Sequence, residues 1–107
     1  MPRPTRIQMP VSAKKGEVIQ IKTIIQHDME TGYRRDSRGL SIPRRIVKSY
    51  VATYNGVEIF RAETFPGISA NPYFSFTTVA TETGVIEFTW TDDHGEVTSE
   101  RRPITVV

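Results

Sequence analysis

Apolar residues recur at every second position through much of this chain, and this alternation constrains the fold more than any other feature. Ile19, Ile21, Thr23 and Ile25 fall on one face of an extended segment, with polar residues such as Gln20 on the other. A β-strand places successive side chains on opposite faces. No window of a dozen residues shows the 3.6-residue apolar period of an amphipathic helix. The chain is therefore predicted to be all-β.

Turn-forming residues divide the chain into about seven predicted antiparallel strands. Asn55-Gly56, between the third and fourth strands, supplies the positive φ angles of a two-residue hairpin turn. Pro103 predicts an edge position for the last strand, since proline has no amide to donate. Short strands without crossover helices favour an immunoglobulin-like β-sandwich, with residues 1–107 forming a single domain. The predicted strands cover residues 7–11, 17–27, 45–54, 57–65, 73–80, 85–92 and 96–106.

Two segments stand out against this pattern. Trp90 lies in the sixth predicted strand with Ile86 and Phe88 at two-residue spacing, so we expect a core residue rather than a ligand platform. Residues 28–44, by contrast, are polar, contain Gly32 and end near a proline. A connection of this length inside a small domain is typically functional or mobile.

The chain contains no cysteine, which excludes disulfides, thiolate nucleophiles, iron–sulfur clusters and Cys-ligated metals. His27 and His94 are the only side chains expected to titrate near neutral pH, and neither stands in a Ser-His-Asp order. We therefore expect no catalytic residues and no cofactor, and surface or hydrogen-bonded roles for both histidines.

Two metal interpretations are weak. His27 and Met29 are acceptable copper ligands, and a stand-alone periplasmic copper or metal carrier of sandwich fold is the alternative function. A soft copper site normally needs more His or Met than this chain offers, so no metal residues are assigned. Asp92-Asp93 with Glu96 is a conceivable calcium site, but a charged hairpin turn explains these acids as well or better.

Charge is unevenly distributed along the sequence. Residues 1–48 carry 11 Lys/Arg against 4 Asp/Glu, and residues 49–107 carry 3 against 8, although the net charge is only +2. The two halves of the chain interleave in a sandwich. The asymmetry therefore becomes a spatial dipole only if the charged loops gather at opposite ends.

The basic residues concentrate on and beside the long loop. Arginine binds oxyanions and carboxylates through two hydrogen bonds, so docking of an anionic or acidic partner is about as well supported as a merely solvated loop. Nucleic acid is a poorer target, since only Tyr33 and Tyr50 lie among these residues as stacking aromatics. The cluster consists of Arg34, Arg35, Arg38, Arg44, Arg45 and Lys48.

Residues 69–76 join a predicted turn to a strand and hold three aromatic residues within four positions. Most of these rings are expected in the core. A ring that faces outwards would anchor a protein partner. Tyr73, and Asn71 two residues before it, complete the candidate partner-docking residues.

Seven short segments, taken in order, resemble the SoxZ family, the smaller subunit of the SoxYZ sulfur-carrier complex of bacterial thiosulfate oxidation. One departure is Asp28, where the resemblance implies a proline; it bears only on local loop geometry. The segments are Ile21-Lys22-Thr23 leading to His27, Met29-Glu30-Thr31-Gly32, Ile42-Pro43-Arg44, Tyr54-Asn55-Gly56, Ser69-Ala70-Asn71-Pro72-Tyr73, Val79-Ala80-Thr81-Glu82, and Trp90 with Asp92-Asp93.

The resemblance implies a tight heterodimer with a SoxY-like subunit, whose C-terminal cysteine arm carries the sulfur adduct between enzymes. It implies transient docking to other Sox enzymes. Neither nucleic acid nor a membrane is predicted as a partner. It also implies a periplasmic site. No signal peptide and no apolar run of roughly 18 residues is visible, so export together with the partner is expected.

Overall fold

Eight strands build the computed structural model, which describes residues 3–65 and 70–107. Within these ranges there is no helix, and therefore no helix that is long and apolar enough to cross a membrane. The all-β prediction is confirmed. The strands are Thr5–Gln8 (β1), Ser12–Ala13 (β2), Val18–Ile25 (β3), Val47–Tyr54 (β4), Val57–Glu63 (β5), Tyr73–Val79 (β6), Gly84–Asp92 (β7) and Val97–Val106 (β8).

The strands form two sheets that pack face to face. One sheet has three strands in the order β1-β3-β6, and the other has five in the order β2-β8-β7-β4-β5. All pairings are antiparallel except β2 with β8, which is parallel. This architecture confirms the immunoglobulin-like sandwich.

The first predicted strand, residues 7–11, is wrong as a single element. The chain forms β1 in the smaller sheet, leaves it at Met9-Pro10, and joins the larger sheet as β2. Pro10 has no amide with which to continue a ladder, so the strand breaks where the chain changes sheets. This switch raises the strand count to eight.

The core lies between the sheets, and aromatic rings join them. Tyr50 of β4 stacks on Phe74 of β6 with ring centroids 4.5 Å apart, and Phe60 of β5 stacks on Phe76 at 4.6 Å. Trp90 is 1% exposed and confirms its predicted place in the core. These contacts place β4 and β5 of the larger sheet beneath β6 of the smaller one.

The Asn55-Gly56 hairpin is confirmed, and its asparagine also binds a neighbouring strand. Both residues have positive φ, 48° and 84°. The Asn55 side-chain oxygen accepts the Val85 amide at 2.9 Å. A Cβ added to Gly84 would lie 1.8 Å from that oxygen. The turn therefore fixes the start of β7 and requires glycine there.

The edge position predicted from Pro103 holds at that residue. Pro103 pairs with Val85 of β7, and on the outer side of β8 the two-residue β2 reaches only Thr105 and Val106. Pro103 therefore lies where none of the described strands is placed to accept a hydrogen bond from a backbone amide.

The long connection is irregular, as predicted, but its middle folds back on itself. The Ile42 amide donates to the Arg34 carbonyl at 2.9 Å, and the Asp36 amide donates to the Leu40 carbonyl at 2.8 Å. We call residues 33–42 the loop arm. The strand that follows begins at Val47, two residues later than predicted.

Gly84→Ala is expected to lower the free energy of unfolding by about 1–3 kcal/mol, because the added methyl displaces the Asn55 side chain. In an Asn55→Gly background, which keeps the positive φ, the same change should cost little. Urea unfolding followed by Trp90 fluorescence measures both effects. An equal loss in the two backgrounds would contradict the contact.

Candidate docking site

The basic loop returns to the sandwich through ion pairs with the turn between β7 and β8. The Arg45 guanidinium donates to Asp92 Oδ2 and to Glu96 Oε2, each at 2.9 Å. Arg44 donates to Asp93 Oδ2 at 2.8 Å. These pairs tie the end of the loop to the start of β8.

Asp92 is the centre of this arrangement. Its Oδ1 accepts the amides of His94 and Glu96, both at 2.9 Å, so the carboxylate closes the turn that follows it. The side chain is only 2% exposed. Burial alone would raise the pKa of Asp92, but the Arg45 hydrogen bond and the two amides outweigh it and lower the pKa to about 2.

The opposite charges of the two sequence halves meet here instead of separating. Arg44 and Arg45 come from the positive half, and Asp92, Asp93 and Glu96 from the negative half. No spatial dipole forms at this end. The acids of the turn are neutralised by arginines, which favours the charged-turn interpretation over calcium. Within residues 3–65 and 70–107, no three His, Asp or Glu side chains are grouped to hold a metal.

His27 is buried beside Asp92, which corrects the expected surface position. Only 2% of the residue is exposed. Its Nδ1 accepts the Met29 amide at 2.9 Å, so the neutral ring carries its proton on Nε2, 3.6 Å from Asp92 Oδ2. Burial and the positive charge of Arg3 lower the pKa of His27, and Asp92 opposes them. The hydrogen-bonded role is confirmed.

The two candidate copper ligands are already bonded to the backbone. His27 Nδ1 accepts the Met29 amide, and the Met29 sulfur accepts the Val47 amide at 3.2 Å. Met29 is 4% exposed. A copper ion would have to displace these internal hydrogen bonds to reach either lone pair.

His94 matches its prediction. It is exposed in the turn, and its Nε2 lies 2.6 Å from the Arg44 carbonyl. This contact adds to the attachment of the loop end.

The basic cluster divides into arginines that pair with carboxylates and basic residues that do not. Arg44 and Arg45 belong to the ion pairs above, and Arg34 pairs with Glu30. Arg35 donates to the Gly39 carbonyl at 2.9 Å, and neither Arg35 nor Arg38 pairs with a carboxylate of the described residues. Both stay exposed on the loop arm beside Tyr33 and Leu40, and Lys48 is exposed on β4.

The aromatic segment places one ring outwards, as expected. Phe74 and Phe76 face the core, whereas Tyr73 is 56% exposed at the start of β6. Asn71 accepts the His27 amide on its side chain at 2.9 Å and donates its own amide to the His27 carbonyl at 2.7 Å. It therefore has a structural role, and docking by Asn71 or Tyr73 stays a prediction. Ser69 lies outside the described residues.

The buried acid is the feature that sequence reasoning missed. Asp92 continues the inward series Ile86, Phe88, Trp90 at two-residue spacing, so a charge at this position is the signal that identifies an internal ion pair. Its partners could not be chosen, because Arg45 is 47 residues away along the chain.

Fold and site together define a class of protein: an immunoglobulin-like sandwich with exposed arginines on a projecting loop. Solved structures share this fold. A superoxide reductase (neelaredoxin) from Ignicoccus hospitalis has a TM-score of 0.74 and 18% identity, covering 96% of this chain and 80% of its own. The sulfur carrier protein SoxY from Chlorobium limicola f thiosulfatophilum has a TM-score of 0.66 and 11% identity, covering 96% and 78%.

A putative superoxide reductase from Thermotoga maritima is also similar, with a TM-score of 0.74 and 16% identity over 96% of this chain and 85% of that one. No curated protein sequence matches this chain. Residues 7–103 match the family described as sulphur oxidation protein SoxZ. The chain therefore belongs to the SoxZ family, which confirms the resemblance found in its sequence.

Asp92→Asn is expected to lower the free energy of unfolding by about 2 kcal/mol. The amide still closes the turn, but the buried charge that binds Arg45 is lost. Chemical denaturation measures the change. Glu58→Gln, which breaks an exposed pair with Arg61, is the control and should have little effect. Equal effects would contradict the central role of Asp92.

Stability should fall as the pH is lowered from 7 to 5. The pKa of His27 is lowered in the folded state, so the unfolded chain gains this proton first, and the stability present above pH ~6.5 is lost below it. The slope for one proton is at most about 1.4 kcal/mol per pH unit. In His27→Asn the side-chain oxygen can replace Nδ1 as the acceptor. This variant should show a smaller change in the free energy of unfolding between pH 7 and 5, measured by denaturation at each pH.

A second loss of stability is expected below pH ~4, where the unfolded Asp92 takes up a proton that the folded carboxylate, with its pKa of about 2, does not. Asp92→Asn should reduce the loss in free energy of unfolding over this acidic range. An unchanged profile in either variant would contradict the corresponding assignment.

Proposed function

We propose that this chain is the non-catalytic subunit of a heterodimeric sulfur-carrier protein in bacterial thiosulfate oxidation. A SoxY-like partner carries the sulfur as a covalent adduct on a C-terminal cysteine arm and moves it between Sox enzymes. One observation carries the proposal: a chain of a sulphur-oxidation family contains no cysteine. A covalent sulfur adduct on a thiol therefore has to lie on another chain.

The fold suits a supporting role. An arm that visits several enzymes must be held by a body whose surface keeps its shape. In this chain the largest inward side chains, Trp90 and Tyr50, are fully buried and pack against each other with ring centroids 5.2 Å apart. Such packing gives a rigid scaffold.

The loop arm is the surface that we assign to enzyme docking. Arg35 and Arg38 are exposed there, and Tyr33 is 83% and Leu40 58% exposed. Aromatic and arginine side chains are enriched where proteins bind one another. Their positive charge would also attract acidic surfaces and the anionic adduct. We infer that this docking takes place in the periplasm, to which the chain is exported with its partner.

Co-expression with a SoxY-like subunit tests the heterodimer. We expect the two chains to co-purify in equal amounts and to support thiosulfate oxidation together with the remaining Sox enzymes. The partner alone should be much less active. Full turnover by the partner alone, or sulfur transfer by this chain alone, would contradict the proposal. Cell fractionation checks the periplasmic location.

Reversal of the two exposed arginines, Arg35→Glu with Arg38→Glu, should reduce turnover at low salt by roughly tenfold, because steering of encounter depends on such charges. The heterodimer should remain intact. Lys14→Glu with Lys15→Glu makes the same charge change on an exposed turn away from the loop arm and serves as the control. Turnover is measured across a range of ionic strengths. Equal turnover by the two variants would contradict docking by the loop arm.

A further inference from the structure

β6 is an edge strand of the smaller sheet. It pairs with β3 on one side, and none of the other described strands pairs with it. Its seven residues, Tyr-Phe-Ser-Phe-Thr-Thr-Val, include no charge, proline or glycine. Proteins normally protect exposed edges with such residues, because an open edge pairs with other chains.

The hydrogen bonds between β6 and β3 show which backbone groups of β6 point away from the sheet. The Ile25 amide donates to the Pro72 carbonyl, and the Ala80 amide donates to the Glu17 carbonyl. Bonded pairs alternate along an antiparallel ladder, so Phe74, Phe76 and Thr78 bond to β3. The amides and carbonyls that point away from the sheet belong to Tyr73, Ser75, Thr77 and Val79.

The other edges are protected. The outer strand β5 carries Glu58, Arg61 and Glu63, and a register shift interrupts its pairing with β4. Pro103 and the short β2 guard the outer side of β8. β1 is four residues long and carries Arg6. Among the described strands, β6 therefore differs in having no such protection.

A largely apolar groove lies at the C-terminal end of this edge. Its aliphatic lining is Val57 and Ile59 of β5 and Val79 of β6, and the rest of its lining is Tyr54, Thr78, Thr81 and Glu82. Val57 is 67% and Val79 44% exposed. A strand added to β6 would cover aliphatic surface that the chain alone leaves in water.

We propose that β6 binds an uncharged, extended strand of the partner subunit, which enlarges the three-stranded sheet to four strands. Outward amides and carbonyls select an extended segment, and the groove selects aliphatic side chains at alternate positions. The SoxY structure shares this fold, so a partner of that type has sheet edges of its own to offer. This inference rests on the proposed heterodimer.

Substitutions at Thr77 test the inference. Thr77→Pro removes an outward amide and leaves the bonds to β3, Thr77→Lys adds a charge to the edge, and Thr77→Ala keeps the amide as the matched control. The readout is the dissociation constant of each variant with the SoxY-like subunit. We expect Thr77→Pro and Thr77→Lys to weaken binding at least tenfold and Thr77→Ala to stay within about twofold of the original chain.

Circular dichroism and urea unfolding report whether each variant is folded. Should Thr77→Pro unfold, Thr77→Lys decides the outcome, since lysine is compatible with an edge strand. Tight binding by folded Thr77→Lys would overturn the β6 inference while the heterodimer stands. No binding by the unsubstituted chain would refute the heterodimer and this inference together. A homodimer of the isolated chain that Thr77→Lys dissociates would assign β6 to a second copy instead, which also overturns the proposal.

Discussion

A sheet of three strands has to cover a sheet of five, and the central strands of both sheets bury one face. Where the cover is complete, the inward side chains are aromatic, as in the stack of Tyr50 on Phe74. The smaller sheet does not cover all of β8. Glu100 and Arg102 lie on the same face of the sheet as the buried Phe88 and Ile86. Both nevertheless remain partly exposed, and they pair with each other. The mismatch in sheet size therefore accounts for the apolar core under the smaller sheet and for the polar pair on β8.

The ends of the sandwich are held by a different interaction. Asp92 brings together the loop end, the turn before β8 and the buried His27, because one carboxylate accepts hydrogen bonds from Arg45 and two amides. A buried charge without such partners would be costly. With them, the long loop is fixed at its return point, while the loop arm projects and keeps Arg35 and Arg38 exposed.

Features that depend on neighbouring residues could be predicted from the sequence. Two-residue alternation located the core strands and Trp90, and Asn55-Gly56 located the hairpin, because both signals are local. The split of the first strand and the burial of His27 could not be predicted, since they depend on which sheet a segment joins. The ion pairs of Arg44 and Arg45 could not be predicted for the same reason: their carboxylates lie almost 50 residues further along the chain. Docking by Arg35 and Arg38 stays a prediction.

The central claim is that this chain supports a sulfur carrier without holding the sulfur itself. Its sequence offers no thiol, and its family assigns it to sulfur oxidation. The most direct measurement is the intact mass of both subunits taken from a working complex during thiosulfate oxidation. The account predicts an unchanged mass for this chain and a sulfur adduct on the partner that a reducing agent removes. A sulfur adduct found on this chain would contradict it.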